Sequence, residues 1–435
     1  MIDLKDLRDN PDKYRRGAEL KRYDPGAVDR ALEADRRRVQ AQQEHDTLRA
    51  EQNAAGKEVG RLKGDEKQAA IARLGELKAR VKAAEERQKQ AEAALSEAML
   101  SIPLPPDPDV PVGRDESENV VLRYVGEPRR FDFEPKDHIQ LSQALGLADF
   151  EAGVRLAGTR SYILMGDGAR LHNAVLRLAL EMMTVEHDFT AVTVPVLVRE
   201  ESLVGTGFFP AGRESVYHVG PETDDLFLVG TGEVGLTAMH MNQTLEESQL
   251  PLKYTTVSTC FRREAGTYGK DTAGFYRVHQ FDKCEQVVIC RADEQESRQW
   301  HAKMLGFSEQ MLRKLGLPYR VVQCCTGDLG VKNADMIDVE TYMPSRAAHG
   351  DPQSGYGETH SASRLYDFQA RRLNLRYRDG EGRLHYCHTL NNTVIASPRI
   401  LIPILENYQE ADGSVTIPEA LRPYMDGRER IVVPA

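Results

Sequence analysis

The sequence predicts an α+β protein in two parts. An N-terminal antiparallel helical hairpin comes first, and a larger body built on an antiparallel β-sheet flanked by helices follows. Three observations predict this. Residues 26–102 hold no proline and no Phe, Trp or Tyr, and the strong helix formers Ala, Glu, Lys, Arg, Gln and Leu dominate there. The segment SIPLPPDPDVPVG at 101–113 then places five prolines in one window, which stops a helix and makes a stiff linker. Beyond it, strand-like runs follow one another with few helical patterns between them, the order of a meander and not of βαβ units.

In the hairpin, apolar residues recur at Val28, Leu32 and Val39, then at Ala55, Val59 and Leu62. A second series runs Leu74, Leu77, Val81, Ala84, Ala91, Leu95 and Ala98. Steps of three, four and seven residues are coiled-coil spacing. LKGDEK separates the two series, with Gly64 and Asp65 as turn residues. Two helices, each about 50 Å long at 1.5 Å per residue, would fold back on each other as an arm projecting from the body. Such a coiled coil can serve as a spacer or a dimerisation element. Arg36, Arg37 and Arg38, followed by Arg49, Lys57, Arg61 and Lys63, can instead meet backbone phosphates.

The proline segment sets the domain division at 1–110 and 111–435. Within the second part, RLHNAVLRLALEMMTVE has helical period, with Leu171, Val175, Leu178 and Met182 on one face, and LGFSEQMLRKLG reads as a second helix. FTAVTVPVLV reads as a strand broken by Pro195, and DLFLVG, KYTTVSTCF, YRVHQF, EQVVIC, YRVVQCC and IDVETYM as further strands. Neither a G-x-x-x-x-G-K-[ST] loop nor a G-x-G-x-x-G turn is present, so any bound nucleotide would lie on a sheet surface among cationic side chains.

Charge separates the two parts. Residues 1–100 carry 22 Lys and Arg against 20 Asp and Glu, whereas the rest carry 35 against 47. The net charge of −10 therefore belongs to the body and does not argue against a nucleic-acid contact by the arm. The six cysteines form no Cys-x-x-Cys pair, which argues against a cysteine-rich zinc site and a disulfide framework. Cys324 and Cys325 read as apolar strand filling. No window approaches the ~20 apolar residues of a membrane span. The charged start MIDLKDLRDN is not a secretion signal, so a cytoplasmic protein is expected.

FRREAGTYGKDTAGFYRVHQFDKCE, residues 261–285, holds the densest chemistry. Strands ending near Phe261 and beginning near Phe275 would form a hairpin. Alternation puts Arg262 with Glu264 on one face, and Arg277, His279, Phe281, Lys283 and Glu285 on one face. The arrangement fits cross-strand salt bridges, which are worth little. It equally fits arginines that clamp a phosphate beside glutamates that receive amino groups.

FRREAG…RVHQFDKCE closely resembles the second signature motif of the class II aminoacyl-tRNA synthetases, and within that class the bacterial-type seryl-tRNA synthetases. MIDLKDLRDNPDKY, the hairpin, PKDHIQLSQALGLADFEAG, GDGARL, EHDFTAVTVPVLV with Pro195, LVGTGEVGLTAMH, CCTGDLG, ETHSASRLYDFQARRLNLRY and HTLNNTVIASPRILIPILENYQ carry the resemblance along nearly the whole chain. It implies a serine–tRNA ligase. Such an enzyme activates L-serine with ATP to seryl-adenylate and passes serine to the 3′ end of tRNA(Ser), and to tRNA(Sec) where that exists. It further implies a cytoplasmic homodimer, a tRNA-binding arm that crosses to the partner's active site, Mg²⁺ and no zinc.

The same resemblance implies roles for single residues. Arg262 would hold the α-phosphate and the serine carboxylate, with Arg399 covering the nucleotide's other face, as the catalytic pair. Glu264 would accept from the adenine amino group, Phe281 would stack on adenine, Val278 would meet the purine through its backbone and Arg277 would hold the γ-phosphate. Glu358 and Ser361 would bind the metal, with Thr359 and His360 between them near ATP. Thr231, Glu233, Glu285, Asn391 and Thr393 would line the serine pocket together with Arg262, and Arg36, Arg37 and Arg38 would meet tRNA. Many members have Gly-Ser where this chain has Asn392-Thr393, and Val-Gly where it has Ser397-Pro398. Thr393 keeps the hydroxyl. The segment SRAAHGDPQSGYG, 345–357, is longer than usual and reads as a surface loop.

Overall fold

Strong helix formers and small apolar side chains build the first of two units, Met1–Pro105. The structure is a computed structural model that describes residues 1–265, 272–348, 351 and 353–433. Two short helices, α1 (Leu4–Asp9) and α2 (Pro11–Leu20), precede two long ones, α3 (Gly26–Val59) and α4 (Gly64–Leu100). Asp3 caps α1 by accepting from the amides of Lys5 and Asp6, and Pro11 starts α2 where no amide is needed. Ile2, Leu7, Ala18, Val28, Ala31 and Met99 pack at the base of the hairpin. At the tip Gly64 takes φ +61°, and Asp65 lies in the first turn of α4 and not in the turn itself.

Before Met99 and Leu100 at its end, which are also covered, the covered positions of α4 run 70, 74, 77, 81, 84, 88, 91, 95 and 98, alternating steps of four and three. The expected series on α3 needs one correction. Val39 is 37% exposed, whereas Leu48, outside that series, is 5% exposed. The seam passes Asp35, Arg38 and Gln42 instead. Asp35 is tolerated there because Arg8 grips both its oxygens, at 2.6 and 2.7 Å. Gln42 accepts from Gln88 across the seam at 2.5 Å.

The second unit, Pro106–Ala435, is organised by an eight-stranded sheet. Its strands are β1 (Val120–Val125), β2 (Thr190–Ala191), β3 (Leu252–Phe261), β4 (Gln280–Cys290), β5 (Tyr319–Gln323), β6 (Asp335–Tyr342), β7 (Tyr356–Arg364) and β8 (His388–Ser397). They lie in the order β1-β5-β6-β7-β8-β4-β3-β2, antiparallel except for the short β2–β3 pair. The helices Gly166–Glu181 and Glu294–Lys314 flank it, the second capped by the Asp293 carboxylate on the Glu296 amide. Cys284, Val288 and Cys290 of β4 join Leu171, Val175, Met304 and Leu305 in the main core. On the other face of β4, Val287 and Ile289 join a separate cluster with Val194, Leu236 and Leu375. Among the described residues no helix is long and apolar enough to cross a membrane.

Two strand expectations need adjusting. FTAVTVPVLV is broken around Pro195 as expected, but the break is wide: only Thr190–Ala191 and Leu197–Val198 are strands, and Val194 between them turns into the second cluster. YRVHQF does not continue to Phe275, since β4 begins at Gln280. Phe275 instead packs against Phe150, Tyr162 and His138, which draws the chain off the sheet. Gly274 lets it approach: its φ is +77° and a Cβ there would lie 2.2 Å from His138 Nε2. The glycine-containing turn of this motif, 266–271, and residues 349, 350 and 352 of the 345–357 segment lie outside the described residues.

Candidate active site

One face of β4 carries Phe281, Lys283 and Glu285, two residues apart, as strand alternation requires. β3 and β8 flank β4, with Thr256 and Thr393 opposite Glu285. Arg262 and Glu264 leave the end of β3, and Arg277 and Val278 precede the start of β4. The hairpin closes with the Arg262 amide donating to the His279 carbonyl at 2.9 Å. Glu264 adopts a positive φ of +50°.

The deep end of the site is made of buried charge. Glu285 and Glu233 are 0% and 2% exposed. Glu285 pairs with Lys283 and accepts from Asn391 Nδ2 at 3.0 Å. Lys283 also donates to Thr231 Oγ1 at 2.8 Å. Glu233 pairs with Lys332 and accepts from Gln369 Nε2 at 2.7 Å. Between Thr231 and Glu233 the backbone comes so close to β3 that a Cβ on Gly232 would lie 2.5 Å from Thr256 Cγ2. Asn391 Oδ1 and Thr256 Oγ1 are buried without a protein partner, so this end keeps polar atoms for a polar ligand.

The open end is a cavity lined by Arg262, Glu264, Phe275, Tyr276, Val278, Phe281, Lys283, Glu358, Thr359, Thr393, Ala396, Pro398 and Arg399. Arg262 lies over the Phe281 ring, 5.3 Å from its centroid. Arg277 donates to Glu264 at 3.2 Å. Arg399 donates to the carbonyls of Tyr276 and Glu358 at 3.0 and 3.1 Å, and its guanidinium lies 4.6 Å from the Tyr276 ring centre. Arg346 lies over the same ring at 4.0 Å.

Glu358 and Ser361 stand on β7, opposite Glu340 and Asp338 of β6. Burial, and then the neighbouring Glu358 carboxylate, push the Asp338 carboxyl far above its ordinary range. Asp338 is therefore held as the neutral acid, and the carboxylate and hydroxyl oxygens of Glu358 and Ser361 are the ligand types that suit a hard divalent cation. His360, between them, is only 1% exposed and is held by the Val394 carbonyl and the Thr359 hydroxyl. Burial lowers its pKa to about 4, so it is a neutral structural imidazole. His360, Ser361 and Arg277 do not line the cavity, nor do Thr231, Glu233, Glu285 and Asn391, which are linked to it through Lys283, whereas Thr359 and Thr393 do. Cys324, read as apolar filling, is buried, and its sulfur lies within 4.8 Å of oxygens of Asp328 and Asp338.

Sequence reasoning assigned no role to Lys283, although alternation put it on the same face as Glu285. Tyr276, Lys332 and Gln369 were missed. Tyr276 had a signal in its place within the motif. Gln369, 136 residues from Glu233, likewise lies within ETHSASRLYDFQARRLNLRY, whereas Lys332 reaches Glu233 from 99 residues away and had no signal. In the arm, Arg36 and Arg37 are 74% and 72% exposed, but Arg38 is 27% exposed and bonds to Asp35.

Comparison with known proteins accounts for both units. The description "Seryl-tRNA synthetase N-terminal domain" matches residues 1–106, and "tRNA synthetase class II core domain (G, H, P, S and T)" matches 217–408. The serine–tRNA ligase of Deinococcus radiodurans is 45% identical over 429 residues, covering 99% of this chain and 98% of its own. That of Corynebacterium diphtheriae is also 45% identical, covering 99% of each. The seryl-tRNA synthetase of Pyrococcus horikoshii, solved with ATP, superposes with a TM-score of 0.90 at 37% identity and full coverage of both chains. The Naegleria fowleri cytoplasmic enzyme, solved with AMP, gives 0.85 at 31% identity, covering 98% of this chain and 96% of its own. With two family descriptions and full-length relatives in agreement, the chain belongs to the seryl-tRNA synthetase family.

Proposed function

We propose that this chain performs its family's ligation of serine to tRNA in the cavity above β4, with the residues dividing the work as follows. The serine carboxylate attacks the α-phosphorus of ATP, a new P–O bond forms, and pyrophosphate leaves. The terminal ribose hydroxyl of tRNA then attacks the seryl carbonyl and AMP leaves. No protein nucleophile is needed, so the protein's task is positioning and charge neutralisation. Arg262 bridges the serine carboxylate and the α-phosphate, because its planar fork can serve both. Phe281 and Arg399 hold the two faces of adenine, Glu264 and the Val278 backbone meet its edge, and Arg277 steadies the triphosphate after leaving Glu264. Thr231, Glu233, Glu285, Asn391 and Thr393 receive the ammonium and hydroxyl of serine. A pocket whose buried groups need that hydroxyl rejects alanine strongly.

The single observation that carries this reading is the pair of buried glutamates, each with its own lysine, linked through Lys283 and Thr231 to a cavity lined by Arg262 and Arg399. Glu358 and Ser361 would hold Mg²⁺, which neutralises phosphate charge when bound. Thr359 and His360 shape β7 beside it. Residues 1–110 form the tRNA(Ser)-binding domain, with the exposed Arg36 and Arg37 as phosphate contacts and Arg38 engaged by Asp35, and 111–435 the catalytic domain of a cytoplasmic homodimer. The test is amino-acid-dependent ATP–pyrophosphate exchange across the common amino acids. Serine should drive it best, and a better exchange with any other amino acid overturns the assignment.

A further inference from the structure

Glu233 is nearly fully buried, yet Lys332 approaches it from a loop with no other part in the cavity. The Lys332 side chain is 13% exposed, and its ammonium lies over the Phe208 ring at 4.0 Å. Gly207 admits the stem: its φ is +84°, and a Cβ there would lie 3.3 Å from Lys332 Cβ. Lys332 Nζ and Gln369 Nε2 both donate to the same carboxylate oxygen, Glu233 Oε1. Thr389 Oγ1 donates to Gln369 Oε1 at 2.8 Å, and Gln369 Nε2 also reaches the Thr206 carbonyl at 2.9 Å, so the amide can face only one way. Oε2 of Glu233 takes no hydrogen bond from any described residue.

We propose that Lys332 is a positioning residue for amino-acid recognition: it pins Oε1 of Glu233, supported by Gln369, so that Oε2 is presented to the ammonium of serine. The inference rests on the proposed place of Glu233 in the serine pocket. A donor on one oxygen fixes the carboxylate in rotation, while its second oxygen keeps its lone pairs for the ligand. Serine is a zwitterion and brings no net charge. Glu233 with Lys332 and Glu285 with Lys283 likewise sum to zero, so the pocket accepts it without an uncompensated buried charge.

Steady-state exchange with Lys332→Met tests this. Serine KM should rise about 10- to 100-fold, the loss expected when a hydrogen bond to a charged group is removed. The KM for ATP and kcat should change less than about threefold, because neither depends on Glu233 orientation. Lys332→Arg, which restores charge and reach, should recover most of the serine KM. In the Lys332→Met/Glu233→Gln double variant the two effects should fall well short of additive, because both act through one carboxylate. Lys332→Gln is read in the same way if the methionine variant does not fold. An unchanged serine KM, a parallel rise in both KM values, or full additivity overturns the role of Lys332. If the unaltered protein shows no serine-dependent exchange, the functional assignment itself falls, and the two failures are thereby distinct.

Discussion

In the arm, Arg36 and Arg37 leave 74% and 72% of their side chains in solvent and lean on Glu33. In the body, Lys283 and Lys332 expose 7% and 13% and are paired with buried glutamates. The same sign of charge is therefore used in two dielectric settings. A cation in water is inexpensive to hold and interacts weakly, over distance and with strong dependence on salt. A dry cation interacts strongly and at one geometry, but only while its partner remains, since breaking a buried pair costs about 3–5 kcal/mol. The first setting suits a long, irregular polyanion. The second suits a ligand of a few atoms that must be told from its neighbours by one hydroxyl.

The sharpest way to break the comparison is to separate the units by function. Deleting Gln43 to Arg87 behind a short Gly-Ser linker leaves the base of the hairpin intact, where Leu7, Val28, Ala31, Leu95 and Met99 are buried. Serine-dependent exchange should stay within about twofold, because no residue of the cavity is touched. Transfer of serine to tRNA should fall by about three orders of magnitude or more, the loss of a multi-phosphate contact. Full transfer by the shortened protein would make the arm a spacer.

The next effects lie in the body. Glu285→Ala strands Lys283, which is 5% exposed, and should lower serine-dependent exchange by about 10²- to 10³-fold. Equilibrium ATP binding should hold, and equal losses in both would remove Glu285 from the serine pocket. Arg262→Lys keeps the charge but not the fork, and about 10²-fold should be lost from exchange. Near-normal exchange would refute the bridging role.

A further prediction follows from His360. Its folded pKa of about 4 lies below the ordinary 6.5, with burial as the leading cause. For a depressed folded pKa, the unfolded chain takes up the proton first as pH falls. Stability is therefore full above pH 6.5 and is lost as pH falls from there to about 4, by about 3 kcal/mol from this group. Denaturant unfolding of the protein and of His360→Gln should converge across that window. A parallel pH dependence in the two would show that the imidazole is not buried neutral in solution.

These contrasts explain what the sequence disclosed. The arm was legible nearly to its ends, because one seam repeated over nine positions of α4 leaves little freedom of register. It misled at Val39, where the seam runs through polar Asp35, held by both Arg8 and Arg38, contacts that no hydrophobic pattern marks. In the body, β3, β5 and β6 followed from β-branched runs, whereas β4 began later than its alternation suggested. Packing of Phe275 outweighed strand propensity there. The motif residues at the strand ends were legible because alternation and sequence proximity put them together. Lys332 was not, since its only link to Glu233 is made by the fold.

The smallest expected effect sharpens the comparison within the arm itself. Arg36, Arg37 and Arg38 are consecutive, so a helix must point them in different directions. Arg36 and Arg37 face water, while Arg38 donates to Asp35 at 3.2 and 3.3 Å beside the Arg8 fork. Hydrogen bonding from Arg8 foremost holds the Asp35 carboxyl below its ordinary range, so Asp35 stays charged and needs its partners. Reversing Arg36 and Arg37 to glutamate should leave the melting temperature nearly unchanged, since exposed pairs with Glu33 are worth under about 1 kcal/mol. Affinity for tRNA should fall several-fold at low salt. If each residue meets one phosphate, the slope of log K against log salt should flatten by about one unit per residue. Arg38→Glu should do the opposite. It places a second carboxylate against Asp35, lowers arm stability by about 1–2 kcal/mol, and leaves the salt slope as it was. A flattened slope for Arg38→Glu with an unchanged melt would mean that Arg38 leaves Asp35 to meet phosphate, and the wet and dry cations of the arm would then be one class.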